Sequence, residues 1–133
     1  MLVVDTNVIA YLYLPTDHSG YAEQLLSTDS EWAAPLLWRS EFRNVLGNYQ
    51  RKKLIDLADA MAMQEQAETL MRGNEFEVVS SSVLALAAES GCSAYDCEFV
   101  ALARELGVSF VTADKKLART FPDCAVALGS PVG

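Results

Sequence analysis

The sequence predicts an α/β fold, a three-layer sandwich in which helices cover both faces of a five-stranded parallel sheet. Two observations carry that prediction. Short apolar runs alternate with segments whose apolar residues recur at helical spacing, the pattern of strand–helix–strand units. Two of those runs, Leu2-Val3-Val4 and Val108 to Thr112, are each followed within two residues by an aspartate. In open parallel sheets, ligand sites lie just outside the carboxyl ends of the strands.

The elements follow in order. Leu2-Val3-Val4 reads as a buried strand, with a helical turn from about Thr6 to Leu14 that Pro15 and Thr16 break. A helix from about Ser19 to Ser27 comes next, then a weak strand at Trp32-Ala33-Ala34 ended by Pro35. Trp38, Phe42, Val45, Leu46 and Tyr49 define one apolar face of a third helix. Asp56 is a plausible N-cap for a fourth helix reaching about Arg72, with Gly73 at its end. Phe76 to Val79 reads as the third strand, and a short helix over Val83 to Glu89 stops at Gly91. Ser93 caps a well-defined helix in which Tyr95, Phe99, Leu102 and Leu106 repeat on one face until Gly107. Val108 to Thr112 is the fourth strand, Lys115 to Phe121 a short helix, and Ala125 to Leu128 the fifth strand. Right-handed crossovers and a strand order of 3-2-1-4-5 would set Asp5 beside Asp114.

Bulk properties bound the reading. The 133 residues form one domain, and a hydrophobic content of 51% is ample for a packed core. The apolar stretches are far shorter than the roughly 20 residues of a membrane span, and no signal-peptide pattern opens the chain. Cys92, Cys97 and Cys124 are odd in number and match no zinc spacing, so they are expected to be small hydrophobes in a reducing cytoplasm. A net charge of −8 argues at first against a nucleic-acid partner. However, eight of the ten basic residues fall in two segments: Arg39, Arg43, Arg51, Lys52 and Lys53 around Glu41, and Lys115, Lys116 and Arg119 after Asp114. Solvated helix faces explain those segments equally well.

Four carboxylates are the candidate chemistry: Asp5, Glu41, Asp96 and Asp114. Each has a structural alternative. Asp96 stands three residues after Ser93, near the spacing of a capping box, and Asp114 can cap the helix that Lys115 begins. Glu41 lies at the rim of an apolar stripe. Asp5 directly follows a buried strand and needs hydrogen bonds or a cation there. Taken together, four carboxylates in one cleft raise each other's pKa unless cations neutralise them. Hard ions such as Mg²⁺ or Mn²⁺ take such oxygen ligands, which points to metal-assisted chemistry on phosphate esters.

The segments Val3-Val4-Asp5-Thr6-Asn7-Val8, Ser40-Glu41 with Asn44-Val45-Leu46, Ala94-Tyr95-Asp96-Cys97 with Leu102-Ala103, and Val111-Thr112-Ala113-Asp114-Lys115-Lys116-Leu117 together resemble PIN domains. Within that family the chain is most similar to the single-domain VapC-type toxins, over nearly its whole length. The resemblance implies a PIN-like nuclease domain over residues 1–133 and a Mg²⁺- or Mn²⁺-dependent endoribonuclease. It places metal-ligand and catalytic roles on Asp5, Glu41, Asp96 and Asp114, with Thr6, Asn7 and Thr112 as supporting polar residues. A homodimer, a small antitoxin partner, an RNA substrate and a cytoplasmic location are implied with it. Some members carry a further acidic residue shortly after the position of Asp114, where this chain has Lys115 and Lys116.

Those ligands imply hydrolysis by water, leaving a 5′-phosphate and a 3′-hydroxyl with no need for the 2′-hydroxyl. Arg39, Arg43, Lys115 and Lys116 are the candidate phosphate contacts, with salt bridges to nearby acids as the alternative. His18 is the single histidine, which rules out a two-histidine ribonuclease mechanism. A haloacid-dehalogenase-like phosphatase needs a second aspartate two residues after the first, where this chain has Asn7. A silent RNA- or protein-binding module would carry four mutually repelling carboxylates to no purpose. The helix-three and helix-four hairpin, with Met61, Met63 and Met71, is the expected partner surface.

Overall fold

The computed structural model describes residues 1–131. Its sheet has five strands, all parallel, in the order β3-β2-β1-β4-β5. The chain runs β1 (Leu2–Val4), α1 (Thr6–Tyr13), α2 (Ser19–Thr28), β2 (Trp32–Pro35), α3 (Leu37–Arg51), α4 (Leu57–Met71), β3 (Glu75–Phe76), α5 (Ser80–Ser90), α6 (Ala94–Leu106), β4 (Phe110–Thr112), α7 (Lys115–Thr120) and β5 (Ala125–Ala127). The central strands are buried along their whole length, which is why they read as unbroken apolar runs instead of alternating ones. Trp32, Trp38, Phe42, Phe110, Ile9 and Met71 are the largest fully buried side chains and fill the space between sheet and helices.

The fold class and strand order match the expectation. Three boundaries differ, each for a physical reason. β3 is the two residues Glu75–Phe76, not the run to Val79, because β2, its one neighbour among the described residues, ends at Pro35 opposite Phe76. Val79 therefore leaves the sheet and becomes the N-cap of α5, which starts at Ser80, ahead of the expected Val83. β4 begins at Phe110 because the Val108 N–H donates to Ala103 O at 3.0 Å, closing the end of α6. That closure needs Gly107 at φ 68°, a left-handed conformation that only glycine adopts without steric cost.

Two side chains depart from their expected burial. Tyr95 was assigned to the apolar face of α6, yet it is 63% exposed in the first turn of that helix. Met71 is fully buried and serves the core, whereas Met61 stays 63% exposed beside Leu54 and Leu57 near the turn between α3 and α4. The three cysteines are free thiols, Cys97 buried and Cys92 and Cys124 partly so. Among the described residues, no helix is long and apolar enough to cross a membrane.

Candidate active site

The topology places β1 and β4 side by side, with Val3 opposite Phe110 and Val4 opposite Val111. Both strands then release an aspartate on the same edge. Asp5 caps α1 by accepting Val8 N–H through Oδ1 at 3.0 Å. Its Oδ2 accepts the Ala113 N–H at 3.0 Å and the Thr112 hydroxyl. Three of the roughly four lone-pair sites of this carboxylate are thus occupied, and one remains for a ligand. Asp114 caps α7, its Oδ1 accepting Lys116 N–H at 2.9 Å and Leu117 N–H at 3.1 Å. Capping uses one oxygen and leaves Oδ2 unassigned.

Glu41 comes from α3 and Asp96 from the first turn of α6. Thr6, itself buried, donates its hydroxyl to Glu41 Oε1 at 2.7 Å and fixes that side chain. Asp96 needs no cap role of its own. The Ser93 hydroxyl accepts the Asp96 N–H at 3.1 Å and does the capping alone. Among the described residues the reciprocal carboxylate bond of a full capping box occurs at Asp56 and Asp59, not here. The Asp96 carboxylate is left to face the cleft.

Asp5, Thr6, Asn7, Glu41, Asn44, Asp96 and Asp114 line one cleft of about 250 Å³, floored by Val45, Phe99 and Leu117. Among the described residues no lysine or arginine is on its walls. The electrostatic consequences are visible in three of the four acids. Burial pushes the Asp5 carboxyl above its ordinary value, its hydrogen bonds pull it back, and the charge of Asp96 pushes it up again. Burial raises Glu41 as well, with the Thr6 hydroxyl opposing and Asp96, Asp5 and Glu98 adding. Asp96 is raised by burial and by Asp114, with the Ser93 hydroxyl opposing. The cleft favours protons or cations over bare carboxylates.

All four expected ligands therefore meet in one cleft, and Thr6 and Thr112 bond directly to two of them. Asn7 lines the cleft without a side-chain bond among the described residues. Asn44 was quoted within a motif but given no role, and its signal was spacing, three residues after Glu41 on one helix face. Glu98, whose charge acts on Glu41, was not singled out, and its spacing two residues after Asp96 gave no signal. Arg39 takes the salt-bridge alternative that the sequence left open. Its guanidinium grips Glu75 through Nε at 2.5 Å and a second nitrogen at 2.8 Å, and reaches Glu68 at 3.0 Å, so it serves the fold. Arg43, Lys115 and Lys116 are exposed and make no ion pair among the described residues.

The donor set is all oxygen and hard, which fits Mg²⁺ or Mn²⁺. Among the described residues no group of three or more His, Cys, Asp or Glu side chains is placed to hold a metal ion together. The two facts agree once the ion is considered: Mg²⁺ keeps several waters and uses one or two carboxylates plus substrate phosphate, not a protein cage. An open, acidic, phosphate-sized cleft fits that mode.

The fold and site define an α/β domain with an acidic cleft at the carboxyl edge of a parallel sheet. The chain belongs to the PIN domain family, which matches it over residues 2–121. It is 33% identical over 124 residues to Ribonuclease VapC3 of Pyrobaculum aerophilum, covering 91% of this chain and 95% of that protein. Among solved structures, PAE2754 from Pyrobaculum aerophilum superposes with a TM-score of 0.76 at 22% identity, covering 96% of this chain and 90% of that one. A toxin–antitoxin complex from Klebsiella pneumoniae gives 0.71 at 18% identity, covering 95% and 96%. Those two structural likenesses establish the fold.

Proposed function

We propose that the chain is a Mg²⁺- or Mn²⁺-dependent endoribonuclease that hydrolyses RNA phosphodiester bonds, and that it is the toxin of a toxin–antitoxin pair. The observation that carries this reading is the meeting of Asp5, Glu41, Asp96 and Asp114 in one cleft with no basic residue on its walls among the described residues. Such a cleft repels a phosphate unless divalent cations enter with it. The names of the relatives, one a ribonuclease and one a toxin–antitoxin complex, support RNA as substrate and an antitoxin as partner.

Asp5, Glu41, Asp96 and Asp114 would hold the cation or cations. When bound, a divalent ion supplies Lewis-acid polarisation of the phosphate and lowers the pKa of the attacking water. The chain's own residues do the rest. Thr112 and the Ala113 N–H hold Asp5 in one orientation, and Thr6 does the same for Glu41. Fixed carboxylates limit the reorganisation needed when substrate arrives. Arg43, Lys115 and Lys116, exposed and unpaired among the described residues, are proposed phosphate contacts beyond the cleft. Exposed Leu54, Leu57 and Met61 supply an apolar patch for the antitoxin or for a second copy of the chain.

The test is cleavage of a structured RNA by purified protein. Activity is expected with Mg²⁺ or Mn²⁺, and its loss in EDTA and in Asp5→Asn or Asp96→Asn. Equal cleavage by the wild type and either variant would assign the activity to a contaminant and remove the proposal.

A further inference from the structure

The cleft of about 250 Å³ is smaller than the pockets that enclose whole ligands, so on the nuclease reading above it has room for a phosphate and its ions but not for the bases as well. The surface that continues from it on α1 is aromatic. Tyr11 lies four residues beyond Asn7, on the same helix face and about 6 Å further along the axis. Burial raises the pKa of the Tyr11 phenol, and the charge of Asp5 adds to the effect. Tyr49 stands on α3 four residues beyond Val45 of the cleft floor.

Tyr11 stacks on His18, with ring centroids 4.9 Å apart and planes 28° from parallel. His18 is exposed, so the pair ends in solvent instead of closing a core. The corner between α1 and α2 holds it in place. Ser19 Oγ donates to Leu14 O at 3.0 Å, Thr16 N–H donates to Ser19 Oγ at 3.1 Å, and His18 N–H donates to Thr16 Oγ1 at 3.1 Å. An aromatic pair with one partly buried and one exposed ring, already ordered by its backbone, loses little entropy when a third ring joins it.

We propose that the Tyr11–His18 pair is a stacking platform for an unpaired nucleobase of the RNA whose phosphate lies in the carboxylate cleft. This rests on the nuclease reading above and adds the element that positions the strand. Stacking tolerates any base, so the platform contributes affinity for single-stranded RNA and not sequence choice.

The experiment has two readouts. In steady-state cleavage of a single-stranded RNA oligonucleotide with Mg²⁺, Tyr11→Leu is expected to raise KM about ten-fold while kcat stays within about two-fold. Tyr11→Phe should keep the wild-type KM, and His18→Ala, at an exposed position that folding does not depend on, should raise KM in the same direction. Separately, an oligonucleotide carrying the fluorescent base 2-aminopurine is titrated onto the uncleaving Asp96→Asn protein with Mg²⁺. Quenching of the base is expected, and its loss when Tyr11→Leu is added. An unchanged KM in both Tyr11→Leu and His18→Ala overturns the platform while leaving the nuclease standing. Quenching that ignores Tyr11→Leu also overturns it. If the wild type cleaves nothing yet quenching depends on Tyr11, the nuclease reading fails and the platform survives as an RNA-binding surface.

Discussion

The Thr112 hydroxyl donates to Asp5 Oδ2 across a sequence separation of 107 residues, tying the end of β4 to the end of β1 at the floor of the cleft. The Thr112 hydroxyl oxygen itself accepts the Asp114 N–H at 3.0 Å. One fully buried hydroxyl therefore sets the positions of two of the four carboxylates.

Thr112→Val keeps the shape and removes both bonds. It leaves the Asp114 N–H without its partner and Asp5 with one fewer donor. A loss of about 1–3 kcal/mol of stability is expected in a urea melt, with Thr112→Ser recovering most of it. Activity should fall in Thr112→Val beyond what unfolding explains, since Asp5 is no longer held. A denaturation midpoint equal to wild type would show that the bond contributes nothing.

Stability should also depend on pH in an unusual direction. Asp5, Glu41 and Asp96 all have raised pKa values in the folded chain, chiefly through burial. The folded state thus binds these protons more tightly than the unfolded chain. The resulting stabilisation is complete below the ordinary carboxylate value near 4 and is lost as pH rises through the raised values. Asp29, Glu75 and Asp123 are lowered by their basic partners and act oppositely, losing their contribution only below the ordinary value. In EDTA, the melting temperature should rise as pH is lowered from neutrality through the raised values of these three acids, then fall in stronger acid. Added Mg²⁺ should flatten the upper part of that profile. A metal-free profile that instead falls steadily on acidification from neutrality would mean that burial does not raise the three acids.

The two arginines of α3 should behave differently. Arg39 forks onto Glu75, whose Oε1 also accepts Trp38 Nε1–H at 2.8 Å, and Glu75 is only 11% exposed. Lysine cannot reproduce the fork. Arg39→Lys is expected to cost about 1–3 kcal/mol in stability with little change in KM once folded. Arg43→Ala should change stability by less than about 0.5 kcal/mol, raise KM and reduce the salt dependence of RNA binding. If Arg39→Lys weakens RNA binding without loss of stability, its pairing with Glu75 is secondary.

The sheet and its order were legible because buried parallel strands are short apolar runs, and Val4-Asp5 and Thr112 to Asp114 each pair such a run with an acid that must face solvent or a cation. β3 was misplaced because Phe76 to Val79 is as apolar as a strand. What ended β3 was a property of its partner, the stop at Pro35, which has no trace in the segment itself. Tyr95 was assigned inward because periodicity gives a helix face but not how far that helix extends past the core. Arg39 was left open between phosphate contact and salt bridge because Glu75 is 36 residues away in sequence, and only the β2–β3 pairing brings it close. The carboxylate cleft was legible as a set of four, since each acid alone had an adequate structural explanation.

The α3–α4 hairpin is the expected partner face, now reduced to its outer end. Met71 is committed to the core, and Leu54, Leu57 and Met61 remain 63–65% exposed. Exposed apolar groups in a cluster favour association. Light scattering at high concentration should show a species larger than a monomer, or the protein encoded beside this chain should bind it. Met61→Glu should weaken whichever association is found. A monomer that binds no neighbouring gene product would count against the hairpin as an interface.

Asp96 offers the sharpest separation between a metal cleft and a set of independent caps. The Ser93 hydroxyl already satisfies the Asp96 N–H, so the carboxylate is not needed to start α6. In EDTA, Asp96→Asn removes one charge from beside Asp5, Glu41 and Asp114, and relief of repulsion should leave its melting temperature equal to wild type or higher. Mg²⁺ binds the folded state and should raise the wild-type melting temperature by mass action. The variant has lost one ligand and should gain less. Were Asp96 only a helix-start residue, asparagine would serve almost as well and the ion would act equally on both proteins. Four melts, two proteins in two buffers, decide between these, and an identical Mg²⁺ response would remove Asp96 from the ligand set.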